Sequence, residues 1–229
     1  MRRLLALGAA LAVVVAAAAA PAGATNECRG LNPCAPVAGP WVVVPVGRGV
    51  PRPQVQYQLT CPRGYVVGGV DAELSERAIE VSFFGSSGSP VRPGVTTSRS
   101  VVFIGSYVSS GTPAPTFRPH AGCVPASGGG QRTPTGVAAV FPPGRPAIRR
   151  VRTVRVSSTK RIVVACRSDE RLVAWYAARG FFTTKPPAAT LVSSLSATLR
   201  VRADRIVATA HAKRGRGVVQ VSAVCAGGR

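Results

Sequence analysis

Two stretches decide the fold: "VQYQLTCPRGYVVGG", residues 55–69, and "RIVVACRSDERLVAW", residues 161–175. In the first, Val55, Tyr57, Leu59 and Cys61 alternate with Gln56, Gln58 and Thr60, the period-two pattern of a strand with one buried face. In the second, Ile162, Val164 and Cys166 alternate in the same way up to a cysteine, a polar turn and a valine-rich restart. Further along, "SATLRVRA" (196–203) sets Leu199, Val201 and Ala203 against Thr198, Arg200 and Arg202. "GVVQVSAVC" (217–225) sets Val219, Val221, Ala223 and Cys225 against Val218, Gln220, Ser222 and Val224. Cys61, Cys166 and Cys225 each fall on the more apolar face of their strand, where a core or inter-sheet disulfide belongs. "DAELSERAIE" (71–80) has room for one or two helical turns, and no other stretch keeps a helical period. The chain reads as all-β.

Each half follows one order. A valine-rich strand ("WVVVPV" from Trp41, "VRTVRV" from Val151) precedes the strand that ends in cysteine. A Phe-Phe pair (Phe83-Phe84, Phe181-Phe182), a proline-containing loop and more strands then lead to a closing cysteine. Cys61 and Cys123 are 62 residues apart, Cys166 and Cys225 are 59 apart. This predicts two tandem, disulfide-bridged, β-sandwich-like domains of immunoglobulin-like size, bridged Cys61–Cys123 and Cys166–Cys225. Cys28 and Cys34 would close the small loop "CRGLNPC". Six cysteines allow 15 connectivities, so the repeat alone selects this one. The expected layout is a signal peptide at 1–24, an N-terminal segment with the small disulfide loop at 25–40, and a β domain at 41–126. A Gly/Pro-rich linker at 127–147 ("SGGGQRTPTG", then "PPGRP") leads to a strongly basic second β domain at 148–229. A single larger sandwich with coincidental spacing is the competing reading.

The first 24 residues carry Arg2 and Arg3, an apolar run from Leu4 to Ala20 and the small-residue exit "PAGA". That is the form of a secretory signal cleaved after Ala24; the alternative, a membrane anchor, is disfavoured by the cleavable exit and the scarcity of Leu and Ile. An even set of six cysteines in an exported chain argues for disulfides. Zinc is disfavoured because there is no Cys-x-x-Cys pair and His120 and His211 stand apart. "CPRGYVVGG" (61–69) resembles the Cys-Pro-x-Gly…Val…Gly-Gly stretches of exported actinobacterial β-rich proteins of uncharacterised function. Those stretches end in three glycines, whereas Gly68-Gly69 is followed here by Val70. The resemblance covers nine residues and implies secretion and a β-rich domain, with no activity attached.

Of 29 basic residues 26 are Arg, against eight acids, for a net charge of +21. Residues 25–144 carry nine basic and five acidic side chains, residues 145–229 carry 18 and three, so the charge sits in the second half. The expected polyanion-binding residues are Arg149, Arg152 and Arg155 on one strand, Arg200 and Arg202 on another, and Lys213, Arg214 and Arg216 in a hairpin loop. An anionic cell-wall polymer or an anionic lipid surface is the expected partner, and a protein partner is the alternative. The competing reading of the arginines is dispersed solvated charge produced by GC-rich coding. Nucleic acid is disfavoured, since there is no binding motif and the basic stretches lack interleaved aromatics. No catalytic residues, cofactor or metal are expected, and the oligomeric state is open. His120 reads as a turn or surface residue, and Trp175, in "RLVAWYA", as core. The acids Asp71, Glu73, Glu76 and Glu80 read as a solvated turn. Together these features predict a non-enzymatic secreted protein, extracellular or held at the cell envelope.

Overall fold

Period-two alternation gives each stretch one apolar side, and the sheets that result pack those sides together. The computed structural model describes residues 25–47, 49–85, 99–109, 114–126 and 147–227. The expected signal peptide and residues 127–146 of the expected linker lie outside the described residues. In the first half the strands are β1 (Ala35–Ala38), β2 (Trp41–Val43), β3 (Gln54–Thr60), β4 (Tyr65–Leu74), β5 (Ile79–Gly85), β6 (Ser100–Tyr107) and β7 (Thr116–Pro125). In the second they are β8 (Ile148–Val156), β9 (Thr159–Ala165), β10 (Glu170–Phe181), β11 (Leu195–Val201), β12 (Arg205–Ala212) and β13 (Gly217–Gly227), with a five-residue helix α1 (Ala189–Ser193) between β10 and β11. The protein is all-β, with three disulfides: Cys28–Cys34, Cys61–Cys123 and Cys166–Cys225. Each of the two long bridges joins the end of a small-sheet strand to the centre or end of a large-sheet strand.

One seven-stranded sheet runs β1-β7-β2-β10-β13-β8, with β4 added on β7, and two three-stranded sheets run β3-β6-β5 and β9-β12-β11. The pairing within the first half recurs in the second. Gln54 faces Ser106 and Thr60 faces Ser100 across β3 and β6; Thr159 faces His211 and Ala165 faces Arg205 across β9 and β12. Strand β4 is bulged against β7 between Val67 and Gly69, and β10 is bulged against β13 between Leu172 and Ala174. Those are the same positions counted from Cys61 and Cys166. The turn after each of these cysteines also closes alike, Tyr65 N–H on Pro62 O and Glu170 N–H on Arg167 O. Strands β1 and β2, interrupted at Gly39-Pro40, together lie along β7 as the unbroken β8 lies along β13.

Two apolar cores result. One gathers Val42, Val55, Tyr57, Leu59, Val101, Phe103 and Phe117; the other gathers Val156, Ile162, Phe181, Leu195, Ile206, Val219 and Val221. The halves meet in two ways. Val42 pairs with Gly180 and Trp41 with Phe181, so the large sheet is continuous through β2 and β10. The polar face of β3 then lies against the outer face of β13 and β8. There the buried Gln220 side chain accepts from Gln58 N–H (2.6 Å) and donates to Gln58 O (3.0 Å) and Thr153 Oγ1 (3.0 Å).

Four expectations need correction. Residues 71–80 are not helical: β4 continues to Leu74 and β5 starts at Ile79, because Asp71 and Glu73 pair along β7 opposite His120 and Arg118. His120 is not in a turn but inside β7, only 6% exposed. Trp175 is not core; it is 45% exposed on β10, while Trp41 is buried. The two Phe-Phe pairs are not counterparts, since Phe83-Phe84 lie in β5, whose matching strand is β11, whereas Phe181-Phe182 end β10. The loops explain that misreading. The first half has a short β4–β5 turn and a long β5–β6 connection, the second half the reverse, and the two differences cancel in the cysteine spacing.

Candidate binding surface

Strand pairing sorts the basic residues into groups. On β8, Arg149 faces inward, toward the joint between the halves. Its guanidinium donates to Gln56 Oε1 and to Ser222 Oγ (3.2 Å) and stacks 5.0 Å from the centre of the Tyr176 ring. Burial holds its pKa below the usual arginine value. Arg150 Nη2 alone donates to both carboxylate oxygens of buried Glu170 (2.7 and 2.8 Å). That hydrogen bond, helped by Arg167 N–H, holds the Glu170 carboxyl below the usual carboxylate range. Arg152 and Arg155 are exposed, Arg155 with its guanidinium 6.0 Å from the Phe182 ring centre.

The small sheet of the second half presents the clearest assembly. Arg200 and Arg202 project from the end of β11, and Arg161 from β9, two strands away, about 10 Å across the sheet. With Thr198, Val207 and Thr209 they line an open depression of about 390 Å³ whose lining contains no acid. Asp204, close by in the chain, is taken by Arg205 (2.7 Å), which holds its pKa low. Sequence reasoning missed Arg161. The available signal was its place opposite the Ile162, Val164 and Cys166 face, the same side of the sheet as Arg200. Lys213, Arg214 and Arg216 form the expected exposed hairpin loop, tied back by Lys213 N–H on Ser194 O (2.9 Å). The β11–β12 register puts that loop at the other end of the sheet, about 20 Å from Arg202. The expected residues therefore fall in three places.

The outer faces of the large sheet are covered in both halves. The outer face of the second half's large sheet carries β3, as described. In the first half the corresponding face carries the N-terminal loop: Asn26 N–H bonds Asp71 Oδ2 (2.6 Å), and the Glu27 carbonyl sits over the paired Gly69 and Gly122. A Cβ on either glycine would lie 2.0 or 2.1 Å from that oxygen. Here too is the acid–histidine cluster. The His120 imidazole lies between Glu27 Oε1 (3.7 Å from Nδ1) and Glu73 Oε1 (3.2 Å from Nε2). Burial and two carboxylate neighbours suit it to pinning the N-terminal loop, and leave it poorly placed to reach an external substrate. His211 is exposed and shares a hydrogen bond with Thr159 Oγ1 (2.9 Å). One group of three metal-ligand side chains comes together among the described residues, Cys166, Glu170 and Cys225, but both thiols are consumed in the disulfide.

No known protein family, curated protein or solved structure matches the chain. The three disulfides point to an oxidising compartment, and no helix among the described residues is long and apolar enough to cross a membrane.

Proposed function

We propose that this is a secreted, non-enzymatic binding protein that adheres to an anionic extracellular or envelope polymer through the outer face of the β9–β12–β11 sheet. The reading includes two divergent copies of one sandwich-like unit, at 41–126 and 148–229, following a cleaved leader. The observation that carries it is the convergence of Arg161, Arg200 and Arg202 on one open, acid-free sheet face, in the half that holds most of the net charge. Guanidinium forks pair with phosphate and carboxylate oxygens, and a shallow, open face suits a linear polymer better than a small molecule.

The internal comparison supports a dedicated surface. Position for position, Arg161 stands where the first half has Gln56, and Gln56 serves the joint between the halves by accepting from Arg149. The second copy has exchanged a docking amide for a free cation.

Column retention on an anionic matrix tests this. The mature protein is expected to elute progressively as salt rises. Replacing Arg161, Arg200 and Arg202 together by Gln should weaken binding about 10–50-fold, from about 0.5–0.8 kcal/mol for each exposed pair. The same exchange at Arg52, Arg63 and Arg77, in the first half, should have a much smaller effect. Equal losses from the two triples would reduce the behaviour to bulk charge and overturn the assignment.

A further inference from the structure

We propose that the free edge of β8 takes up an extended acidic polypeptide by strand addition. Strand β8 ends the seven-stranded sheet and has β13 as its strand partner on one side alone among the described residues. In an antiparallel ladder about half of its residues turn both N–H and C=O away from that partner, leaving a template for another strand. The first half shows what this edge does when occupied. Its counterpart, β1 with β2, carries β10 on the same edge, through Trp41 and Val42 opposite Phe181 and Gly180. Trp41 Nε1–H secures that contact on Thr183 O (3.2 Å). Because Val42 lies opposite Phe117, and Val154 opposite Val219, the positions matching Trp41 and Val42 are Thr153 and Val154. The joint between the halves is thus a worked precedent for a strand arriving at Thr153–Val154.

Charge selects the occupant. Arg152 and Arg155 flank that point on opposite faces of the strand, both exposed, with Arg155 held over Phe182. A second copy of β8 pairing antiparallel about Thr153 would set Arg152 diagonally beside its own copy and double the positive charge along the edge, so the same side chains that guard the edge against self-association favour a strand bearing Glu or Asp. Main-chain pairing would give the affinity and the flanking guanidinium groups the preference. This inference concerns a different surface from the β9–β12–β11 face and does not depend on it.

The test uses the full mature chain and three labelled probes of matched length and charge: poly-L-glutamate, poly-D-glutamate and polyacrylate, followed by fluorescence anisotropy. Pairing along a strand edge requires one backbone hand, whereas attraction to charge does not. Poly-L-glutamate is expected to bind roughly tenfold or more tighter than either of the others. Arg152→Gln with Arg155→Gln should weaken it while leaving the melting temperature unchanged. Proline at Arg152 or at Thr153, whichever of these neighbours keeps the native melting temperature, should abolish the preference for the L form. Equal binding of the L and D chains, or an L preference untouched by these variants, would overturn strand addition. Equal, salt-sensitive binding lost with Arg161, Arg200 and Arg202 would at the same time leave the anionic-face reading intact.

Discussion

Gln220 shows how much a single side chain fixes. Its amide copies a strand's own pattern, one acceptor and one donor turned to the backbone of Gln58, 162 residues away, with a further bond to Thr153. Only 4% of Gln220 is exposed. Truncation would leave the partly buried backbone N–H and C=O of Gln58 without these partners, and such groups cost about 1–3 kcal/mol when orphaned. Gln220→Ala should therefore lower stability by about 2–3 kcal/mol, a fall of roughly 5–10 °C in melting temperature. Gln220→Glu should be similarly harmful, since a carboxylate cannot donate to Gln58 O. Calorimetry of the three proteins checks this, and a Gln220→Ala melt indistinguishable from wild type would mean that the halves are not clamped there. The sequence disclosed Gln56, Gln58 and Gln220 as polar-face residues, but not that those faces would meet. Alternation says which side a residue takes and is silent on what covers that side.

At the level of strands, the paired glycines are the informative case. Gly68 and Gly69 sit at the bulge of β4, where β10 has Val173 and Ala174, and Gly122 stands where β13 has Val224. The substitution pattern follows the covering. The first half's glycines lie beneath the Glu27 carbonyl and the Leu31 side chain, whereas Val173 is exposed. Gly122→Val, which restores the residue of the second half, should drive the N-terminal loop off the sheet at a cost of about 1–3 kcal/mol. Amide exchange in residues 26–34 should rise while the second half is unchanged; an undisturbed loop would contradict the docking described. The disulfide pairing and most strands were legible because a cysteine at the end of an alternating run marks both a face and a terminus. The 71–80 stretch and Trp175 were not. Short acidic runs look helical until a partner strand claims them. A valine- and alanine-rich context looks buried even where the sheets stay open beside β11, whose Leu199 and Val201 are also exposed.

For the whole molecule, the recurrence of the same strand pairing in both halves goes with an asymmetry of their surfaces. The first half has its large-sheet face under the N-terminal loop and the β3 side of its small sheet engaged with the second half; the second half keeps the outer face of β9–β12–β11 and the β8 edge uncovered among the described residues. A surface that meets solvent or a partner is free to differ in composition from one buried in a joint. Here the solvent-facing positions carry arginine: Arg161 takes the register position of Gln56, and Thr153-Val154, beside Arg152 and Arg155, those of Trp41-Val42. From composition alone the basic character of the second half was plain, but its sorting into a sheet face, a strand edge and a remote hairpin was not, because that depends on register. The most direct measurement is an amide hydrogen-exchange map of the protein with and without a saturating linear anionic polymer. Added protection is expected only in β9, β11 and β12, centred on Arg161 and Arg200–Arg202 and lost at high salt. Protection spread evenly over both halves, or centred on the first, would contradict it.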